Sequence, residues 1–403
     1  MLNVEEIRRD FPILKSGVIY LDNAATSLTP EPVVQRMIEY YHEYRANVER
    51  GIYRLSQKAS EEYGKARSKV AKLINARRED EVVFTKNATE SINLIANGIE
   101  WRKGDKIVTT LMEHHSNLIP WQRLNQQRGI DLVVVKPDRE GTFNLSDFES
   151  TIDDRTRLVA LTHVSNILGA IAPIEEVAKV AHSHGSLLLM DGAQSVPHMT
   201  VDVRRIGCDF LAFSGHKMLG PTGIGVLYMR RELEGEIQPQ SIGGGGIKDV
   251  TQDRYSLAET PARFESGTPP IAEAIGLGEA SEYILREGFE NVAAHERRLA
   301  NRICKELQTM NRVEVYGPSN PDHRTGIVSF NIAQVNPHDV ALALDISGNI
   351  MVRSGFHCCM PLVKDVLGLR EGTVRASVYL YNTVQEVDRL LELISEIART
   401  AKN

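Results

Sequence analysis

The chain has 403 residues, of which 42% are hydrophobic and 25% are charged, and its formal net charge is −6. This length favours two domains over one small core. The acidic balance argues against a nucleic-acid partner or an anionic membrane surface, since both need basic patches. No apolar run resembles a signal peptide or reaches the roughly 18 residues of a membrane helix, so we expect no membrane association and a cytoplasmic location.

The four cysteines do not indicate a disulfide framework or a zinc site. They are Cys208, Cys304, Cys358 and Cys359. Four cysteines in so long a chain are too few for a disulfide scaffold, and no C-x-x-C pair is present. We therefore predict a reducing compartment and no metal. The adjacent pair Cys358-Cys359 is unusual for a chain of this kind.

Short apolar runs alternate with amphipathic segments between about residues 80 and 230. Several runs are continuously apolar, which is typical of strands covered on both faces. The alternation predicts an α/β fold with a mostly parallel, seven-stranded sheet. The predicted strands are EVVFT (81–85), KIVTTL (106–111), DLVVVKP (131–137), RLVALTHV (157–164), SLLLMD (186–191), FLAFSG (210–215) and GIGVLYM (223–229).

The pattern changes after Pro269, where helical segments and two strand-like runs indicate a smaller α+β domain. We predict a large domain over residues 15–283 and a small domain over 284–403, with the arm 1–14 packed against the small domain. The Gly-rich stretch from 243 to 261 is predicted as a loop or an excursion before the domain change, and its length suggests a function or a partner contact. The predicted elements are helices near 272–286, 288–309 and 384–400 and the strands VEVYGP and GIVSFNI.

Polar side chains follow two consecutive predicted strands, at the sheet edge where α/β folds bind ligands. Asp191 ends SLLLMD, and Lys217 follows FLAF in the run SGHK, before a Gly-rich loop. Each alone has an ordinary reading, as a helix cap or a solvated lysine. Together they supply the imine-forming lysine and the pyridinium-facing acid that pyridoxal 5′-phosphate (PLP) requires. Gln194 could reach the phenolic oxygen of that cofactor.

Two further segments could complete such a site. TKNATESIN (85–93) follows a strand and opens a helix near Ala88, where Asn87, Ala88 and Thr89 could donate to a phosphate or could simply cap the helix. The pair His114-His115 follows KIVTTLM. A flat imidazole there could stack on the pyridine ring and handle protons, although a histidine alone is more often structural.

These motifs as a set resemble the class V aminotransferase superfamily of fold type I PLP enzymes. Within it the chain is similar to the cysteine desulfurase and selenocysteine lyase family, over essentially its whole length. The resemblance rests on YLDNAATS (20–27), EHHSNLIPW (113–121), THVSNILG (162–169), DGAQSVPH (191–198), FSGHKMLGPTGIGVLY (213–228) and RFESGTPP (263–270).

The resemblance implies a role for each matching residue. Lys217 would hold PLP as a Schiff base, Asp191 would pair with the pyridinium, and Gln194 would contact the phenolic oxygen. His114 would stack on the ring, and Asn166 would lie on the substrate side. Thr268 would reach the phosphate of a neighbouring subunit, which implies a homodimer. The phosphate of the same subunit would be bound by Ala88, Thr89, Ser214 and His216.

The C-terminal motifs point to a cysteine desulfurase. VRSGFHCCMP (352–361) resembles the run around the persulfide cysteine, so Cys358 would be the nucleophile and Arg353 the arginine before it. Arg375 in TVRAS would clamp the substrate carboxylate, a task suited to a bidentate guanidinium. The alternative for Cys358 is a buried small hydrophobe. The short segment from Cys358 to Arg375, together with the Gly-rich stretch at 243–262, resembles the SUF-type (group II) branch.

Three residues depart from that branch, namely Tyr53, Phe356 and Cys359. They leave the partner and the choice of sulfur or selenium open.

We expect PLP-dependent conversion of L-cysteine to alanine and a Cys358 persulfide, for an acceptor or scaffold protein of iron–sulfur cluster assembly. The alternatives are a selenocysteine lyase, another PLP lyase or aminotransferase, and a non-enzymatic sulfur-assembly scaffold. In the doublet, adjacent residues of an extended segment point to opposite sides, so Cys358 and Cys359 cannot both face the cofactor. We favour a packed Cys359; the alternatives are a surface thiol and a relay that takes the persulfide outward.

Overall fold

The structure, a computed structural model, describes residues 2–400. Its strands are β1 (Ile19–Tyr20), β2 (Val82–Thr85), β3 (Lys106–Thr110), β4 (Asp131–Val135), β5 (Thr156–Thr162), β6 (Leu187–Asp191), β7 (Phe210–Ser214), β8 (Gly225–Met229), β9 (Ile247–Val250), β10 (Tyr255–Leu257), β11 (Val313–Tyr316), β12 (Ile327–Ile332), β13 (Ile350–Met351), β14 (Arg353–Gly355) and β15 (Thr373–Ser377). Its α-helices are α1 (Val4–Arg9), α2 (Glu31–Glu43), α3 (Arg54–Leu73), α4 (Ala88–Gly98), α5 (Ile119–Arg128), α6 (Leu145–Thr151), α7 (Ile174–Ser183), α8 (Val203–Ile206), α9 (Ile271–Glu287), α10 (Phe289–Thr309), α11 (Pro337–Gly348) and α12 (Val384–Thr400).

The largest sheet contains all seven strands that the apolar runs predicted, in the order β2-β8-β7-β6-β5-β3-β4. Its pairings are parallel except those of β8, which runs antiparallel to β2 and β7. Every residue of β3, β7 and β8 is buried. Strands that helices cover on both faces are buried along their whole length, and their sequences are therefore rich in apolar residues. The predicted α/β class is confirmed.

The parallel strands bring the polar residues at their carboxyl ends to one edge of this sheet. Thr162, Asp191 and Ser214 are the last residues of β5, β6 and β7, which are neighbours in the sheet. Helix α4 begins directly after β2 and packs against β7 and β8. The start of α4 therefore lies at the same edge, as open α/β folds place their ligand sites.

A second sheet lies in the C-terminal part of the chain. Its four antiparallel strands have the order β11-β12-β15-β14, and α10 packs against β11, β12 and α12. The core includes Leu299, Val328, Phe330 and Leu390, which are fully buried. We propose that this sheet with its helices is the predicted small domain, with the boundary near residue 283.

The N-terminal segment contacts this second part of the chain. Strand β1 pairs in parallel with β13, and Asp22 forms an isolated bridge with Ser377. In α1, the Arg8 guanidinium donates to Tyr381 O at 2.7 Å and to Glu386 Oε1 at 2.8 Å. The run YLDNAATS thus passes between the two sheets.

The Gly-rich stretch differs from the predicted loop, because it contains an antiparallel hairpin of β9 and β10. Its strands are polar and largely exposed, so they lack the apolar alternation that predicts a strand. Among residues 2–400, no helix is both long and apolar enough to span a membrane.

Candidate active site

A cavity of about 270 Å³ lies at the carboxyl edge of the seven-stranded sheet, between that sheet and β14 and β15. Its lining includes every residue that the resemblance assigned to cofactor, substrate or catalysis except Thr268. These residues are Ala88, Thr89, His114, Asn166, Asp191, Gln194, Ser214, His216, Lys217, Arg353, Cys358 and Arg375. Residues far apart in sequence thus meet in one place.

Lys217 follows β7, and its ammonium group loses its proton more readily than that of an ordinary lysine. Burial lowers the pKa of Lys217 to about 8, an effect that Arg375 reinforces and Asp191 opposes. A lysine with a pKa near 8 has an appreciable neutral fraction at physiological pH. It can therefore act as a nucleophile toward an aldehyde or as a base.

Asp191 is buried at the end of β6, where its Oδ1 accepts a hydrogen bond from Ala193 N at 2.9 Å. Burial raises its pKa, although Lys217 opposes the shift. A buried carboxylate of this kind is stabilised by a cationic partner, and a pyridinium N–H would supply one. The carboxyl end of β6 is thus suited to the nitrogen of a pyridine ring.

Gln194 keeps bonding capacity for a ligand. Its Nε2 donates to Ala24 O at 2.6 Å, whereas its buried Oε1 has no partner among the described residues. Because an amide has two N–H donors and one acceptor, one N–H also remains for a phenolic oxygen. Two other cavity residues hold buried polar atoms that lack a partner in the part of the chain that the structure describes, His357 Nδ1 and Arg375 Nε. These atoms are free to bond a ligand that enters the cavity.

The start of α4 supplies the donors for an anion. Asn87 caps this 11-residue helix by accepting from Glu90 N at 3.0 Å, and Ala88 N donates to Ser214 Oγ at 2.9 Å. Thr89 Oγ1 lies 2.7 Å from Ser116 Oγ. Backbone N–H groups, hydroxyls and the helix dipole converge there, as in phosphate sites.

Gly225, at the start of β8, allows a close approach between that strand and the backbone of Asn87, just before α4. A Cβ at Gly225 would lie 2.4 Å from Asn87 Cα, so no side chain fits at the start of β8. The absence of a side chain lets α4 begin against the sheet edge.

His114 is a neutral imidazole in the cavity. Burial, and then Lys217, lower its pKa to about 3. Its Nδ1 accepts from Ser116 N at 3.0 Å, which assigns the ring proton to Nε2. Burial likewise lowers the pKa of His216 to about 4. Both rings are therefore uncharged near pH 7, and His114 can offer a flat face and an N–H donor.

Arg375 and Arg353 face the cavity from the second sheet. Arg375 is buried; its Nη1 donates to Asn166 O at 2.9 Å and its Nη2 to Asp22 Oδ1 at 3.0 Å, while its Nε has no hydrogen-bond partner within residues 2–400. Arg353 is more exposed, with its Nη1 4.0 Å from Asp22 Oδ2. An unpaired donor on a buried guanidinium suits a substrate carboxylate.

Cys358 is exposed at the cavity, and Cys359 is fully buried with its Sγ 3.8 Å from Leu111 O. Burial raises the pKa of the Cys359 thiol. The two thiols thus have different surroundings, as expected for the doublet. The segment itself is a turn rather than extended, since φ is 49° at His357 and 56° at Cys358.

Thr268 lies outside this cavity and is exposed. It lines a second cavity of about 250 Å³ together with the segment 47–50 and two glycines of the Gly-rich stretch. Its role toward a neighbouring subunit stays a prediction.

Sequence reasoning did not assign roles to Asp22 and His357. Asp22 contacts both arginines, and His357 O accepts from Asn166 Nδ2 at 2.7 Å. Asp22 could have been noticed as the only acid in the quoted run YLDNAATS. His357 directly precedes Cys358 in the run VRSGFHCCMP, and that position is the signal that could have drawn attention to it.

The family model described as aminotransferase class-V matches residues 19–390. The chain therefore belongs to the class-V aminotransferase family, whose members use PLP. A "probable cysteine desulfurase" of Pyrococcus abyssi is 48% identical over 99% of this chain and 98% of that protein. A "cysteine desulfurase" of Haloferax volcanii is 44% identical over 98% of this chain and 96% of that protein.

Solved structures give the same result. The apo structure of the cysteine desulfurase from Thermococcus onnurineus has a TM-score of 0.96 at 48% identity, covering 100% of this chain and 99% of that one. The Escherichia coli cysteine desulfurase CsdA has a TM-score of 0.92 at 33% identity, with both chains fully covered. At these identities the likeness extends beyond the fold to the family of enzymes.

Proposed function

We propose that the chain is a PLP-dependent cysteine desulfurase that converts L-cysteine to L-alanine and retains the sulfur as a persulfide on Cys358. The observation that carries this proposal is the meeting of three groups in one cavity. They are a lysine with a depressed pKa, an exposed thiol, and an arginine whose Nε has no partner among the described residues.

The cofactor fits the residues present. The amides at the start of α4, with Ser214 and His216, would hold its phosphate, Asp191 its ring nitrogen, and Lys217 its aldehyde carbon. When bound, PLP supplies an electron sink for the electron pair left after a proton is removed from the Cα of an amino acid. The remaining N–H of Gln194 would contact its phenolic oxygen, and the burial of the Asp191 carboxyl, which raises its pKa, supports pairing with a cationic ring nitrogen.

Arg375 would bind and orient the carboxylate of L-cysteine through its Nε, with Arg353 adding positive charge. Asn166 connects Arg375 to the residue before Cys358, because its backbone O accepts from Arg375 and its side-chain Nδ2 donates to His357 O. A substrate held in this way has its Cα and its sulfur fixed relative to Lys217 and Cys358. The neutral His114 ring would cover the cavity with its flat face.

Lys217 would remove the Cα proton and return a proton to the product. Cys358 Sγ then attacks the substrate sulfur, so one S–S bond forms and the substrate C–S bond breaks. The electron pair of that C–S bond stays on the substrate carbon, which is protonated to the methyl group of alanine. The sum is L-cysteine plus the Cys358 thiol giving L-alanine plus the Cys358 persulfide, with no external oxidant or reductant.

The test is incubation of the PLP-loaded protein with L-cysteine and a thiol reductant, measuring alanine and sulfide together. Equal amounts of both support the proposal. Alanine and selenide formed only from L-selenocysteine would indicate a selenocysteine lyase, and a keto acid would indicate an aminotransferase. Protein that stays colourless with added PLP would indicate a non-enzymatic scaffold.

The partners follow from the same proposal. The exposed Cys358 can present its persulfide to an acceptor or scaffold protein of iron–sulfur cluster assembly. We place the enzyme in the SUF-type branch, in the cytoplasm, as a homodimer in which Thr268 reaches the phosphate of the other subunit. The exposed position of Thr268, outside its own cavity, supports this arrangement.

A further inference from the structure

The turn that carries Cys358 has a backbone conformation that its own sequence disfavours. His357 and Cys358 both have positive φ, at 49° and 56°. Residues other than glycine rarely enter this left-handed region, and two in succession are rarer still. Such a backbone persists only where the surrounding structure imposes it. The contacts around the turn therefore decide where the Cys358 thiol points.

Two residues of the large sheet's loops hold the turn by hydrogen bonds. Asn166 Nδ2 donates to His357 O at 2.7 Å, which fixes the residue before the thiol. His115 holds the next part of the turn with two hydrogen bonds, one from its backbone and one to its ring. Its backbone N donates to Cys358 O at 2.7 Å, and its ring Nε2 accepts from Met360 N at 3.1 Å.

The His115 ring is in the state that this contact requires. Burial lowers its pKa, so the ring is neutral near pH 7 and Nε2 can accept a hydrogen bond. His115 does not line the cavity, although its neighbours His114 and Ser116 do. It therefore touches the turn from outside the space that substrate and cofactor would occupy.

We propose that His115 is a positioning residue for the nucleophile, whose ring holds Met360 N and thereby fixes the turn that aims Cys358 at the substrate sulfur. This inference rests on the proposed function for the identity of the nucleophile. It predicts that the ring matters for sulfur transfer and not for binding of the substrate carboxylate, which belongs to Arg375.

The test compares His115→Gln with His115→Asn. The amide oxygen of glutamine reaches about where Nε2 lies, whereas that of asparagine reaches only about as far as Nδ1. Both variants are neutral and polar, so they differ mainly in the contact to Met360 N. Three quantities are measured on the PLP-loaded protein: the single-turnover rate of persulfide formation on Cys358, the affinity for L-alanine from the cofactor absorbance, and the hydrogen exchange of the peptide 356–361.

For His115→Asn we expect persulfide formation to slow by about tenfold and exchange at Met360 N to accelerate by about tenfold, as for one lost hydrogen bond. Affinity for L-alanine should stay within about twofold in both variants, since Arg375 is unchanged. His115→Gln should restore the rate and the exchange toward those of the unsubstituted protein.

Unchanged rate and exchange in His115→Asn would overturn the proposal. Equal damage in both variants, or loss of folding in both, would also overturn it, because the ring would then serve the general fold. If the unsubstituted protein forms no alanine from L-cysteine, the proposed function fails. Exchange at Met360 N then still reports whether His115 holds the turn.

Discussion

Asp22 and Arg375 form an ion pair beside the cavity, with 3.0 Å between Oδ1 and Nη2. The guanidinium is buried and the carboxylate is partly exposed, and Arg353 lies 4.0 Å from the other carboxylate oxygen. Two cations therefore share one protein anion. A substrate carboxylate would balance the second positive charge, so Asp22 adjusts how strongly the two arginines attract it.

Replacing Asp22 with Asn should strengthen the binding of L-alanine and weaken turnover. Without the Asp22 carboxylate, the two arginines attract the ligand carboxylate more strongly, so the affinity for L-alanine should rise by about threefold to tenfold. The Arg375 guanidinium, which loses its ion pair, should orient the substrate less well, and kcat should fall. Titration of the cofactor absorbance with L-alanine and steady-state kinetics check this split.

The matched control is Arg375→Lys, which keeps the charge but loses the planar pair of donors and should weaken L-alanine binding. PLP binding should survive in both variants. Equal affinity for L-alanine in Asp22→Asn and the unsubstituted protein would refute the role given to Asp22.

Replacing Lys217 with Ala should lower alanine formation by at least about a thousandfold, since the proton-transfer group and the covalent anchor are both lost. Borohydride reduction followed by peptide mass spectrometry should find the cofactor on Lys217 in the parent protein and nowhere in the variant. A variant that forms alanine at the parent rate would rule out this lysine.

The pH dependence of cofactor capture follows from the pKa of Lys217, which is about 8. Only the neutral amine attacks the aldehyde, so the capture rate by the apoprotein should rise by about tenfold per pH unit below 8 and level off above. Stopped-flow absorbance from pH 6 to about pH 9.5 measures this limb. A rate that is flat through pH 8, or that still rises about tenfold per unit up to pH 9.5 without levelling off, would contradict the lowered pKa.

The two adjacent cysteines should behave oppositely. Cys358→Ala should still bind L-alanine but should transfer no sulfur, because the exposed thiol is lost and the buried one cannot reach the cavity. Cys359→Ala should keep most activity and lose about 1 kcal/mol of stability through a small cavity. Fragmentation mass spectrometry after brief exposure to L-cysteine locates the sulfur; its presence on Cys359 would reverse the assignment.

Shared active sites can be tested by mixing two inactive or weakened proteins. Lys217→Ala subunits still provide Thr268, and Thr268→Ala subunits still provide Lys217. A mixed dimer would contain one complete site, so subunit exchange should raise activity above the sum of the separate proteins. No gain on mixing, with sedimentation showing that mixed dimers form, would argue that Thr268 acts within its own subunit or not at all.

The sequence predicted the large sheet well because its strands carry strong local signals. Continuous apolar runs such as FLAFSG are typical of strands buried on both faces, and β7 is buried throughout. The β9–β10 hairpin was missed because its strands are exposed and polar. Local pattern reveals an element only where burial selects the residues.

The site was predicted where a motif places residues at strand ends, as for Asp191 and Lys217. The contacts of Asp22 and His115 could not be predicted, because their partners lie far away in sequence. The prediction that the segment around Cys358 is extended was wrong for the same reason. Its left-handed backbone is imposed by tertiary hydrogen bonds, and propensity alone favours an extended segment.

The pairing of β1 with β13 has a consequence for synthesis of the chain. Asp22 and Arg375, which it brings together, are 353 residues apart in sequence. While the ribosome is still making the small domain, the first strand has no partner and the arginine does not yet exist. The large sheet can form earlier from contiguous segments. A nascent chain could therefore acquire its lysine pocket well before it acquires any means of gripping an amino acid.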